Sequence, residues 1–215
     1  MRGPAIMTGV ILIDGGYFRA SWKERNAPTS TNGRRLPYVP SADVLRNAIE
    51  RLKDEVTPQI GVASDGLRWL RTYYYDTDPF EGALVQPNGQ RVDFGSNAAA
   101  SHQKQLLEEL RLSRQVAVRK GQLRFRAWES HAHGFRPIFQ QKGVDMKIGL
   151  DVAWIATKKI ADIIVLVTAD TDFIAPMKLA RKEGVTVCLC SLDRGTVSSD
   201  LREHADICLT IATES

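Results

Sequence analysis

The sequence predicts an α/β protein, a three-layer α/β/α sandwich around a mainly parallel central sheet. Three observations carry that expectation. Strand-like apolar runs alternate with helical patterns along the chain, the order that builds a parallel sheet covered by helices. The run at 163–168 is apolar or β-branched throughout, as a buried strand requires. No internal repeat or low-complexity tail breaks the alternation.

Each element has its own reason. Residues 10–14 form a short apolar strand, and Gly15 and Gly16 turn it into a helix at 17–24. Residues 26–40 are rich in Pro, Thr, Ser, Asn, Gly and Arg and read as a loop. Ser41 caps the next helix, in which Leu45, Ile49, Leu52 and Val56 recur at helical spacing. Residues 67–75 are a second strand, dense in aromatics, and 77–96, with Pro79, Gly82, Pro87, Gly89 and Gly95, are another loop. A helix follows at 98–114, with Leu106, Leu107 and Leu110 on one side. Leu123, Phe125 and Ala127 then alternate with Arg124, Arg126 and Trp128, the period of a half-exposed strand. Val144, Ile148, Val152 and Ile155 define a helix at 144–157. A strand at 163–168, a helix at 172–183, a strand at 185–189, a short helix at 198–204 and a strand at 207–211 complete the pattern.

A chain of 215 residues, 43% hydrophobic and 25% charged, suits one domain spanning 1–215, with variable loops near 26–40 and 77–97. No apolar run is long enough to span a bilayer. The first apolar stretch is short and is interrupted at once by Asp14, so it does not read as a signal peptide. Three cysteines, two of them at Cys188 and Cys190 on one strand, cannot form an even disulfide framework and read as reduced packing residues of a cytoplasmic protein.

The net charge of +4 is unevenly spread. Between Arg111 and Lys142 stand eight basic residues (Arg111, Arg114, Arg119, Lys120, Arg124, Arg126, Arg136, Lys142) against one acid, Glu129. Phe125, Trp128 and Phe135 are interleaved. Such a block reads either as a nucleic-acid track, cations meeting phosphates and aromatics meeting unpaired bases, or as a solvated strand whose aromatics pack inward.

Acids carry the chemistry. Asp14 ends the first strand, Asp145 lies in the first turn of a helix, and Asp170 and Asp172 follow the buried run at 163–168. The carboxyl ends of parallel strands open onto one crevice. Carboxylates gathered there repel unless a cation or a proton neutralises them, and Mg²⁺ or Mn²⁺ meets that need with oxygen ligands. Each acid has a structural alternative: Asp14 and Asp172 as helix caps, Asp145 as a partner of the helix dipole. The other D-x-D, Asp76-Thr77-Asp78, sits in a Pro-bounded segment and reads as turn chemistry. Gly15 and Gly16 leave the backbone beside Asp14 open to a phosphate. Lys142 is placed to meet the substrate phosphate, Thr168 and Thr171 to orient water or carboxylates, and Arg124, Arg126 and Arg136 to follow the polymer. Asp151, about 240° round the helix from Asp145, is an acid one layer out. His131 and His133 lack a third ligand for zinc, and no Walker loop, G-x-S-x-G, H-E-x-x-H or G-x-G-x-x-G is present.

Four stretches, I-L-I-D-G-G-Y-F at 11–18, Q-K-G-V-D-M-K-I-G-L-D at 141–151, V-L-V-T-A-D-T-D-F-I-A-P at 165–176 and S-S-D-L-R-E-H-A-D at 198–206, make the chain resemble the NYN-domain proteins of the PIN-like nuclease superfamily, close to the LabA-like group. The resemblance implies a PIN-like α/β/α fold whose acids bind Mg²⁺ or Mn²⁺ and cleave RNA, single-stranded or structured, with the family's acids falling on Asp14, Asp145, Asp170 and Asp172. Two positions depart from the pattern: Gly16 stands where the family often has Asn, and Ala169 where it usually has Gly. The expected activity is that of a metal-dependent endoribonuclease. A non-catalytic RNA-binding module is the alternative and a nucleotide phosphatase a third reading. The expected partner is RNA and not a membrane, and a homo-oligomer is left open.

Overall fold

The computed structural model describes residues 6–26, 39–62, 65–132, 134–193 and 197–212. The predicted loop at 26–40 and His133 fall largely or wholly outside these residues. Among the described residues, no helix is long and apolar enough to cross a membrane.

A mixed α/β architecture is built on β1 (Met7–Asp14), β2 (Leu67–Thr77), β5 (Val116–His131), β6 (Gly134–Lys142), β7 (Ile163–Val167), β8 (Thr186–Leu192) and β9 (Ile207–Ile211), which form one sheet in the order β6-β5-β2-β1-β7-β8-β9. All neighbours pair in parallel except the edge strand β6, which returns antiparallel on β5. A separate hairpin, β3 (Ala83–Val85) with β4 (Arg91–Asp93), lies within the segment expected to be a loop.

Side-chain alternation along β1 sorts the molecule into layers. Ile11 and Ile13 join one core with residues of α1 (Gly15–Asn26), α2 (Ala42–Gln59) and α3 (Ala98–Leu112). Val10 and Leu12 join the other, with residues of α4 (Val144–Thr157), α5 (Ile174–Lys182) and α6 (Ser199–Glu203). A period of two along the strand and helices on both faces therefore give the three-layer sandwich. The helical apolar sets found in the sequence are the buried ones: Leu45, Ile49, Leu52 and Val56 on α2, Leu106, Leu107 and Leu110 on α3, and Val144, Ile148, Val152 and Ile155 on α4. The Ser41 side chain accepts a hydrogen bond from the Val44 N–H at 3.4 Å, as an N-cap does.

Several boundaries differ from expectation. Strand β2 continues through Thr77, so Asp76 and Thr77 are buried strand residues rather than turn residues. Only Asp78 is exposed, where its carboxylate pairs with Lys120 at 2.7 Å. Strand β5 begins at Val116, earlier than the alternating pattern, because its first half pairs with β2. Helix α5 is preceded by a 3₁₀ turn at Thr171–Phe173.

The chain runs outward from β1 through β2 and β5 to β6, then returns through α4 to β7 on the other side of β1. The direction of strand addition thus reverses between β1 and β7. In an open α/β sheet the crevice beyond the strand ends at such a reversal is where ligands bind.

Candidate active site

Asp14 ends β1 at this reversal. Its parity is that of Val10 and Leu12, which places it toward the layer that contains α4. It is 9% exposed, and one carboxylate oxygen accepts the Tyr17 N–H at 3.1 Å. Asp14 therefore does cap the start of α1, the structural role that the sequence left open. Burial is the largest influence on its carboxyl, and with the charges of Asp145 and Asp76 it pushes the pKa up from 3.8 to about 6 against the lowering pull of the Tyr17 and Gly16 N–H groups.

Asp145 stands in the first turn of α4, which β6 feeds through Gly143. Gly143 has φ +78°, a left-handed conformation that an L side chain resists. The Asp145 carboxyl is also raised, first by desolvation and then by the charges of Asp170 and Asp172. Asp14 responds to Asp145 in turn. The acids of β1, α4 and the turn after β7 are thus linked electrostatically although they lie far apart in sequence.

The turn after β7 is held from within. Asp170 donates its N–H to Thr168 Oγ1 at 3.2 Å, and its own Oδ1 accepts the Asp172 N–H at 2.9 Å. Asp170, rather than Asp172, is the capping residue here. Thr168 is fully buried and fixes the turn, whereas Thr171 and Asp172 are exposed. Ala169 does not have positive φ, so the turn does not require glycine at that position.

Around the glycines the structure differs from expectation. A Cβ on Gly15 would lie 2.7 Å from both the Tyr75 carbonyl oxygen and the Tyr74 ring. A Cβ on Gly16 would lie 3.1 Å from Gln141 Oε1 and 3.2 Å from Asp14 Oδ1. Gly15 is therefore packed by protein rather than left open for a phosphate, while Gly16 is half-buried beside Gln141 and Asp14. Gln141, on β6, brings an amide to the side of Gly16 that borders Asp14, a placement that the sequence did not signal.

Asp76 and Asp151 show where two further acids go. Tyr74 and Asp76 share a face of β2, and there Asp76, fully buried, receives Arg19 Nε and Nη2, each at 2.8 Å. Tyr75 points to the other face and donates its hydroxyl to Asp151 at 2.7 Å, while Arg119 approaches the same carboxylate at 3.5 Å. Asp151 thus has partners of its own on the flank of α4.

The basic segment becomes the long hairpin of β5 and β6. Phe125, Trp128 and Phe139 pack with Phe80 and Phe94, and Trp128 Nε1 donates to the Val85 carbonyl at 2.8 Å. Phe125 and Trp128 are therefore packing residues. On the exposed positions Arg124 and Arg126 bond the neutral amides of Gln122 and Gln140, at 2.8 and 2.5 Å. Arg136 pairs with Glu129. Among the described residues no ion pair is made by Arg124, Arg126 or the exposed Lys142. Cys188 and Cys190 are buried thiols on β8, and burial pushes the Cys188 pKa up to about 12.

Among the described residues no three His, Cys, Asp or Glu side chains stand close enough together to form a ready-made metal cage. The donor set is nonetheless one that suits Mg²⁺ or Mn²⁺. Such ions keep several waters and need only one or two protein carboxylates beside the phosphate of a substrate. The electrostatic strain on Asp14 and Asp145 is of the kind that a cation relieves.

A protein of unknown function from Vibrio parahaemolyticus RIMD 2210633, known from a crystal structure, is similar across 98% of this chain and 96% of its own, with 16% identity and a TM-score of 0.53. At that identity the likeness speaks for the fold. No curated protein matches the chain. The sequence matches the NYN domain over residues 83–212, a span that includes Asp145, Asp170 and Asp172 but not Asp14. That span is more than half of the chain, and the chain belongs to the NYN domain family.

Proposed function

We propose that this protein is a metal-dependent endoribonuclease that hydrolyses RNA phosphodiester bonds at Asp14, Asp145, Asp170 and Asp172. The observation that carries the reading is the gathering of these acids beyond the strand ends: after desolvation, the charges of Asp170 and Asp172 raise the Asp145 carboxyl, and after burial the charge of Asp145 raises that of Asp14. Membership of a family with a nuclease-like fold supports the same reaction class. Asp145, Asp170 and Asp172 are the residues to hold Mg²⁺ or Mn²⁺, with Asp14 at the buried edge of the group. When bound, such an ion supplies positive charge to the phosphate and makes a water molecule more acidic. Asp170 keeps its carboxylate oriented through its bond to the Asp172 N–H, and Thr168 fixes the turn beneath it. Lys142, at the end of β6, and Arg124 and Arg126, on β5, offer charge to an RNA backbone.

The test is to incubate labelled RNA and DNA of one sequence with the protein in Mg²⁺, Mn²⁺ or EDTA. Internal cuts in RNA with either metal, and none in EDTA, are expected. Equal cutting in EDTA contradicts the metal requirement. A non-catalytic RNA-binding module is the second reading, favoured by the lack of a closed three-ligand group among the described residues. Salt-sensitive RNA binding without turnover in any metal selects it.

A further inference from the structure

We propose that the cleft adjoining the acids receives a nucleobase of the RNA strand, next to the phosphate that is cut; the position of that phosphate rests on the proposed nuclease function. The cleft has a volume of about 330 Å³, within the range of roughly 300–1,000 Å³ common for small-molecule sites. One wall is α1, with Gly16, Arg19 and Ala20, and the other is formed by the half-buried rings of Phe80, Phe94 and Phe139. The Phe80 and Phe139 centroids lie 5.1 Å apart, and those of Phe94 and Phe139 5.5 Å apart. Gly16 belongs both to this cleft and to the acid group, since a Cβ there would lie 3.2 Å from Asp14 Oδ1. Gly16 therefore joins the α1 side of the cleft to the carboxylates.

Arg19 decides which part of a nucleotide suits the cleft. Its Nε and Nη2 donors are taken by Asp76, each at 2.8 Å, and its charge is matched there. What it offers is a flat guanidinium held in place, a surface for stacking more than a donor pair for phosphate. Half-buried rings and a fixed guanidinium that line one cleft offer a stacking site for an unpaired base. The phosphate of the same nucleotide is left to the side of Gly16 that carries the acids.

The experiment uses the full chain carrying Asp170→Asn, in EDTA so that no RNA is cut. It is titrated with adenosine 5′-monophosphate, with ribose 5-phosphate and with a short oligoadenylate. Adenosine 5′-monophosphate is expected to bind about tenfold more tightly than ribose 5-phosphate, the scale of one stacked base, and the oligoadenylate more tightly still. Ala20→Trp fills the cleft from an exposed position, and Phe94→Leu keeps apolar volume but removes a ring. Each is expected to abolish the difference between nucleotide and sugar phosphate, with folding checked by circular dichroism. Equal affinity for the two small ligands in the unfilled cleft overturns the proposal, as does a difference that survives both folded variants. Mononucleotide binding as tight as that of the oligoadenylate overturns the assignment to an RNA strand. Base discrimination in a protein that never cuts RNA removes the nuclease reading and leaves the cleft standing. Metal-dependent cutting without base discrimination removes the cleft alone.

Discussion

Arg19 closes on Asp76 through two hydrogen bonds of 2.8 Å, Nε to Oδ2 and Nη2 to Oδ1. Tyr74 adds its hydroxyl at 3.3 Å and the Thr77 N–H a bond of 2.7 Å to the same carboxylate. Asp76 lies on the strand next to β1, whose last residue, Asp14, pairs in register with Tyr75. An acid close enough to raise the Asp14 pKa is thus held in an ion pair inside the fold. The charges of Asp145 and, to a smaller extent, Asp76 both raise Asp14.

The pair gives the first prediction. Arg19→Met leaves a fully buried carboxylate without its cation and is expected to destabilise the protein by about 3–5 kcal/mol. Urea unfolding measures this, and the double variant with Asp76→Asn is expected to recover most of the loss. A single variant within about 0.5 kcal/mol of the parent, the range of ordinary surface substitutions, contradicts the account.

Asp14 gives a pH signature in the metal-free protein. Its folded pKa of about 6 stands above the ordinary 3.8, so the folded state favours the proton. That contribution is complete below pH 3.8 and is lost as pH rises through 6. Across this window it amounts to up to about 3 kcal/mol. In EDTA, Asp14→Asn keeps an oxygen acceptor for the Tyr17 N–H and avoids the buried charge. It is expected to be more stable than the parent at pH 7, with the gap closing toward pH 4. Unfolding curves at both pH values decide it, and a variant less stable than the parent at pH 7 contradicts the burial argument.

The adjacent glycines separate packing from the site. Gly15→Ala drives a Cβ to 2.7 Å from the Tyr75 carbonyl oxygen, and overpacking of this kind costs about 1–3 kcal/mol. Gly16→Ala meets the end of the Gln141 side chain at 3.1 Å, which can swing away. Replacing a helical glycine then stabilises by roughly 0.5–1 kcal/mol, while Asp14 is crowded. The expected result is a Gly16→Ala protein of parental or higher stability with slower RNA cleavage. Thermal unfolding and a cleavage time course, run on both variants, test the contrast.

Tyr75→Phe removes the 2.7 Å hydrogen bond to Asp151 and is expected to lower stability by about 1.5–3 kcal/mol, the range for a bond to a charged group. Since Asp151 has its own partners, Asp151→Asn is expected to leave the cleavage rate unchanged. A loss as large as that of Asp145→Asn brings Asp151 into the site.

The layered fold was legible because burial imposes its period on the sequence. Val144, Ile148, Val152 and Ile155 marked α4 with its observed bounds, and the apolar run from Ile163 marked β7. Asp76 was misread because Pro79 and the nearby glycines suggested a turn. Its burial depends on Arg19, 57 residues away, and pairing across that distance leaves no periodic trace. The position of Gln141 over Gly16 was hidden for a similar reason, since it follows from the antiparallel return of β6. The hairpin β3–β4 is two three-residue strands, too short for alternation to be visible.

The most direct measurement is single-turnover cleavage of labelled RNA in Mg²⁺ by the parent and by Asp170→Asn, with RNA affinity measured alongside. The variant is expected to bind RNA and remain folded without cutting, and EDTA to silence the parent in the same way. Cutting at the parental rate by Asp170→Asn, or by the parent in excess EDTA, contradicts the metal-dependent mechanism.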